Sequence, residues 1–166
     1  MQPIVFLDID GVLNSHMYYD SDRFVPLKNG ECPNHDDPDY LIKLYQNDID
    51  PKSIGFLNEL VKDTSAKIVI SSTWRNKGKE PLQKILDSRG LVGEIIDVTP
   101  HGCECCVRGN EIRQWLKKNG ENKYKYVILD DDSDMLWWQR EEFLLVDNYI
   151  GLTPNDVYKA KSILRK

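Results

Sequence analysis

The stretch Ile4-Val5-Phe6-Leu7-Asp8-Ile9-Asp10-Gly11-Val12-Leu13-Asn14 decides how this chain is read. An apolar run rich in β-branched residues predicts a buried strand of a parallel sheet. It ends in two carboxylates one residue apart, followed by a glycine. Residues two apart on a strand share a side, so Asp8 and Asp10 emerge together if extended backbone persists to Asp10. Gly11 lets the chain turn as it leaves the sheet. Open α/β sheets bind ligands at the carboxyl ends of their strands, where this pair falls. Carboxylates this close repel each other, so either one carries a proton or a cation sits between them. The plainer alternative is a strand running into an Asx-type turn, and the stretch alone does not separate the two.

Outward from this strand, apolar segments alternate between strand and helix character. Asp50-Pro51 begins a helix, with a capping Asp and a Pro at the first helical position. Ile54, Leu57, Leu60 and Val61 give it one apolar face, and Thr64-Ser65 ends it. Lys67-Ile68-Val69-Ile70 reads as a second strand. A helix with Pro81 near its start follows and stops at Gly90. Ile95–Val98 is a third strand, Asn110–Asn119 a helix, Tyr126–Leu129 a fourth strand and Phe143–Val146 a fifth. A helix is expected around Met135, Leu136, Trp137 and Trp138, with both tryptophans in the core. Thr153-Pro154 caps the last helix. The alternation predicts an α/β, three-layer, Rossmann-like domain: a central parallel sheet of about five strands, helices on both faces. Residues 1–166 read as a single domain, and 14–50 as a small irregular lid broken by Pro26, Pro33 and Pro38.

The 166 residues can bury a sizeable core, and 40% hydrophobic with 30% charged residues is ordinary for a globular protein. A formal net charge of −5 argues against a broad basic face for duplex nucleic acid but not against a local phosphate pocket. No apolar run approaches the roughly 20 residues that cross a bilayer. The first residues lack the features of a secretory signal. The expectation is a cytoplasmic protein without membrane partners, its cysteines reduced unless metal-bound.

Three strand ends carry the chemistry. The first ends in Asp8 and Asp10, the second in Ser71 and Ser72, the fourth in Asp130 and Asp131. Arg108 stands just before a helix and can reach the same edge. Clustered acids call for a divalent cation, and all-oxygen ligands suit Mg²⁺, which keeps several waters and takes a substrate phosphate. Arg108, a serine hydroxyl and backbone N–H groups would offset the repulsion between Asp8 and an incoming phosphate.

In this arrangement Asp8-x-Asp10-Gly11-Val12-Leu13 resembles the first motif of the haloacid dehalogenase (HAD) superfamily of phosphohydrolases. Ser71 resembles the second motif, Arg108 the third and Asp130-Asp131 the fourth, in order along nearly the whole chain. Ser71-Ser72-Thr73-Trp74-Arg75 with Arg108-Gly109-Asn110-Glu111-Ile112 looks like the small HAD domains of nucleic-acid repair proteins, of the polynucleotide 3′-phosphatase kind. The resemblance implies a minimal cap and a division of roles. Asp8 would be the nucleophile that becomes an aspartyl-phosphate. Asp10 would be the acid and then the base. Asp8, the Asp10 carbonyl and Asp131 would hold Mg²⁺, with Asp130 behind them. Ser71, Ser72 and Arg108 would bind the phosphoryl group. The run Asp130-Asp131-Asp132-Ser133-Asp134 leaves the ligand open between Asp130, Asp131 and Asp134, and Arg75, Lys77 and Lys79 compete with Arg108.

The expected partner is a phosphomonoester on a nucleotide or on a single-strand nucleic-acid end. The alternatives are a phosphotransferase, a phosphatase for another small metabolite, or a silent phosphate-binding module. The last is disfavoured because Asp8 and Asp10 are both present. Trp74 either packs in the core or stacks a base, and Arg75 is either a surface residue or holds a second phosphate. Cys32, His35, Cys103, Cys105 and Cys106 have the ligand chemistry of a structural Zn²⁺ site, though not a standard finger spacing; reduced, partly buried thiols are the alternative.

Overall fold

β1 (Gln2–Leu7) is the central strand of a five-stranded parallel sheet. The computed structural model describes residues 1–27, 32–102 and 107–166. The other strands are β2 (Lys67–Ile70), β3 (Ile95–Val98), β4 (Tyr124–Asp130) and β5 (Phe143–Leu145), in the order β3-β2-β1-β4-β5. The described helices are α1 (His16–Tyr19), α2 (Tyr40–Tyr45), α3 (Pro51–Thr64), α4 (Lys79–Ser88), α5 (Arg108–Asn119) and α6 (Pro154–Arg165). None of them is long and apolar enough to cross a membrane.

Strand alternation sorts the core into two layers. Val5, Leu7, Ile68, Ile70, Val127 and Leu129 pack with α3, α4 and α6 on one face. Ile4, Phe6, Val69 and Ile128 pack with Ile112, Trp115 and Leu116 of α5 on the other. Ile4 through Leu7 are fully buried on both faces. That explains why β1 reads as an unbroken apolar run, and each such side chain contributes roughly 1.5–3 kcal/mol of hydrophobic burial. This is the three-layer α/β architecture that the alternation of segments predicts.

Local signals in the sequence set the helix starts. Asp50 accepts the Lys52 N–H and Thr153 accepts that of Asp156, and a proline follows each cap. Within 14–50, Tyr18 is fully buried and donates its hydroxyl to the Asn47 carbonyl at 2.7 Å. The Asp50 N–H donates to the Leu13 carbonyl at 2.8 Å, so the two ends of the segment are pinned side by side. α2 packs against α4, and Tyr45 sets its ring edge-on to Trp74 at 5.3 Å.

Three expectations are corrected here. α5 begins at Arg108 rather than at Asn110, which makes Arg108 its first residue. No α-helix forms around Met135–Trp138; only a 3₁₀ turn spans Trp137–Gln139. The polar groups that would begin such a helix serve α5 instead. Asp134 accepts the Arg108 N–H on its carboxylate at 2.8 Å and the Gly109 N–H on its carbonyl at 3.3 Å. The tryptophans expected in the core are exposed, Trp137 at 71% and Trp138 at 53%.

Candidate functional site

Register builds the site. Leu7 is level with Ile70 on β2 and Leu129 on β4. One residue further, Asp8, Ser71 and Asp130 therefore form a row across three adjacent strands. The ladder continues into that row, since the Asp8 N–H donates to the Leu129 carbonyl at 2.9 Å and the Ser71 N–H to the Leu7 carbonyl at 2.8 Å. Leu7, Ile70 and Leu129 face the α3 side, so alternation turns the next row toward α5. There Arg108 reaches into it. One of its terminal nitrogens donates to the Ser71 carbonyl and lies 3.7 Å from Asp8, and Nε lies 3.6 Å from Asp130.

The row is buried and under-satisfied. Asp8 is 5% exposed, and Ser71 and Asp130 are fully buried. Among the described residues, the Ser71 hydroxyl and Asp130 Oδ2 have no hydrogen-bond partner. Buried polar atoms are nearly always paired, so these two oxygens fit a site that takes a polar or ionic group. Burial pushes the Asp8 carboxyl up to about 6, against the opposing pull of Arg108 and the Ser72 hydroxyl. Burial, and then the neighbouring Asp8, push Asp130 up to about 7. Asp131 joins them, so Asp8, Asp130 and Asp131 each bring a carboxylate oxygen within 4.8 Å of the others. Such a set fits a hard divalent cation, whose charge would favour all three ionised forms. Asp134 stands outside this group, because its carboxylate caps α5.

Asp10 is held differently. β1 ends at Leu7, and the chain winds into a tight turn in which the Leu13 N–H returns to the Ile9 carbonyl at 2.8 Å. Extended backbone does not persist to Asp10, which is solvent-exposed at the rim. Gly11 has φ +71°, and a Cβ there would collide with the Asp131 carboxylate. Three contacts aim the Asp10 side chain: Trp74 Nε1 donates to both of its oxygens at 3.0 Å, and Asn14 Nδ2 donates to Oδ1 at 2.9 Å. Trp74 thus takes the packed alternative. It is 8% exposed, packed between the Tyr45 ring at 5.3 Å and Lys77 Nζ 4.4 Å from its ring centre. Arg75 is committed as well: its two terminal nitrogens donate to the two Glu111 oxygens at 2.7 Å each.

Beside Asp10 opens a cleft of about 250 Å³, lined by Asn14, His16, Tyr19, Asp131 and Asn148 among others. Burial, then repulsion from Asp48 and Asp10, push the Tyr19 hydroxyl up to about 12. Sequence reasoning missed Asn14, Tyr19, Glu111 and Asn148 as parts of this edge. Asn14 was findable, four residues beyond Asp10 in a Gly-containing turn. Glu111 falls within the Arg108–Ile112 stretch, but its pairing with Arg75 is not readable there, and Asn148 carries no local signal. Of the thiol–imidazole set, Cys32 is exposed and His35 stacks on Tyr40 at 4.4 Å. Cys103, Cys105 and Cys106 lie outside the described residues.

Comparison with known proteins gives a family. A family model described as the HAD domain in Swiss Army Knife RNA repair proteins matches residues 4–157. No curated protein and no solved structure matches the chain.

Proposed function

We propose, from the premise that the chain belongs to the family of HAD domains in Swiss Army Knife RNA repair proteins, that it hydrolyses a terminal phosphomonoester on single-stranded nucleic acid. The 3′-phosphate is the preferred form. The observation that carries the reading is the row of Asp8, the unpartnered Ser71 hydroxyl and Arg108 at one level of the sheet edge. A nucleophile, a donor and a cation converge there, the set that a phosphoryl group requires.

Asp8, the Asp10 carbonyl and Asp131 would hold Mg²⁺, with Asp130 behind them, and the unpartnered Asp130 Oδ2 fits that set. Bound there, the cation would offset negative charge on the acids and on the phosphoryl group. An oxygen of Asp8 attacks phosphorus, and the bond from phosphorus to the leaving oxygen breaks. Asp10, aimed by Trp74 and Asn14, gives its proton to that oxygen. A water then attacks the aspartyl-phosphate and passes a proton to Asp10. The bond from phosphorus to Asp8 breaks, releasing phosphate and restoring both carboxyl groups. Ser71 donates to a phosphoryl oxygen while Arg108 balances its charge. The cleft beside Asp10 would take the leaving nucleoside.

The test is steady-state hydrolysis with Mg²⁺, comparing a 3′-phosphorylated oligonucleotide, its 5′ isomer, mononucleotides and sugar phosphates. The 3′-phosphorylated strand should have the highest kcat/KM, and Asp8→Asn should lose at least about 10⁴-fold with its fold intact. A sugar phosphate ahead of every nucleotide would reject the substrate. Near wild-type turnover by Asp8→Asn would reject the mechanism.

A further inference from the structure

Two adjacent tryptophans at high exposure are unusual for a 166-residue chain that buries Trp74 and Trp115. Single exposed apolar side chains need no explanation. Here, however, each indole also carries a guanidinium. Arg140 lies 4.8 Å from the Trp137 ring centre and Arg113 lies 5.3 Å from that of Trp138. Of the acids nearest the pair in sequence, Asp134 accepts the Arg108 N–H at the start of α5 and Glu141 lies 3.8 Å from Lys166. The pair thus joins two exposed indoles to two guanidinium groups on a chain whose net charge is −5.

Its place in the fold is held firmly. Gln139, which is buried, accepts the Leu136 N–H on its side chain at 2.9 Å and donates to the Gly109 carbonyl at 3.0 Å. A Cβ on Gly109 would stand 2.5 Å from the Leu136 nitrogen, so only glycine allows this approach. The tryptophans thus hang from the same turn of α5 that presents Arg108 to the strand ends. Arg113 follows Gly109 by four residues and lies on the same strip of the helix. Arg113 stands five positions after Arg108, about 7.5 Å further along the axis of α5.

We propose that Trp137 and Trp138, with Arg113 and Arg140, form a platform that stacks the bases of a single strand leading away from the phosphoryl site. Stacking suits any base, because every base has a π-face, and guanidinium groups beside the indoles meet the backbone phosphates. The proposal rests on the phosphatase reading only for where the strand ends. Binding itself is measured apart from turnover.

The experiment is fluorescence anisotropy with a labelled single-stranded hexaribonucleotide that has no terminal phosphate. It compares the wild type, a Trp137→Ala/Trp138→Ala double variant and a Trp137→Phe/Trp138→Phe double variant. Loss of stacking should weaken binding about tenfold or more in the alanine variant. The phenylalanine variant, which keeps two ring faces, should stay within about threefold on the same grounds. In parallel, the ratio of kcat/KM for a 3′-phosphorylated hexaribonucleotide to that for a small aryl phosphate should fall by a similar factor in the alanine variant. Equal binding by wild type and alanine variant overturns the platform, as does absence of saturable binding by the wild type. A change in self-association on sedimentation, with oligonucleotide binding unaltered, also overturns it and marks the face as a protein interface. If neither phosphate ester is hydrolysed, the functional reading fails while the anisotropy comparison still decides the platform.

Discussion

Arg75 and Arg108 stand at the same edge of the sheet and are held in opposite ways. Arg75, in the turn after β2, meets Glu111 with two contacts of 2.7 Å, and both side chains are nearly sealed from water, at 12% and 7% exposure. Its charge is fully used. Arg108, at the start of α5, lies 3.7 Å and 3.6 Å from Asp8 and Asp130, beyond good hydrogen-bond distance. Its charge is shared among acids that a cation would otherwise balance. A short bidentate pair therefore locks the edge together, whereas Arg108, which donates to the Ser71 carbonyl, keeps its guanidinium beside buried acids without a close ion pair.

The largest expected effect falls on the committed pair. Arg75→Ala would leave Glu111 buried without its cation, which costs about 3–5 kcal/mol of stability. Urea unfolding measures it, and replacing the pair together by Arg75→Met/Glu111→Leu should recover much of the loss. A cost below about 1 kcal/mol, the range of surface pairs, would erase the distinction between the two arginines. Next comes Arg108→Ala, which should lower kcat/KM about 10²- to 10³-fold, the range for removing one charge-stabilising donor. A loss smaller than tenfold would mean that Arg108 is structural too.

A smaller effect sharpens the same contrast at Asp10. Trp74→Phe keeps an aromatic ring in the core, at some loss of volume, and removes the N–H that bridges both Asp10 oxygens. It should lower kcat about tenfold on an alkyl phosphate and less on an aryl phosphate, whose leaving oxygen needs little protonation. Equal losses on both would reject the positioning role.

The smallest effect is on stability against pH. Asp8 and Asp130 have folded values raised to about 6 and about 7, above the ordinary value of 3.8. Between about pH 4 and pH 7 the folded state then binds more protons than the unfolded one, so stability falls as pH rises through this window. The midpoint of metal-free protein in chelator should drop by a few degrees from pH 5 to pH 8. Mg²⁺ should reverse the drop, and Asp130→Asn should flatten it. A midpoint that rises with pH in chelator would show that these acids do not carry the cost.

Much of the fold was legible because its signals are local. The strand of Ile4–Leu7 is apolar on both faces, and the starts of α3 and α6 carry a capping residue followed by proline. Asp8, Ser71 and Asp130 were legible for the same reason, each being the first polar residue after an apolar strand. The missing helix at Met135–Trp138 shows the limit. An acid run before apolar residues reads as a helix start, yet Asp134 caps a different helix, 26 residues away in sequence.

The sequence by itself determined which residues end the strands, because burial on both faces of a parallel sheet leaves polar groups only at its edge. Only the tertiary structure decided which charges remain available there. Pairings such as Arg75 with Glu111, 36 residues apart, and Trp74 with Asp10, 64 apart, depend on register and on the approach of α5. Those distances arise when the layers pack, and no local pattern encodes them.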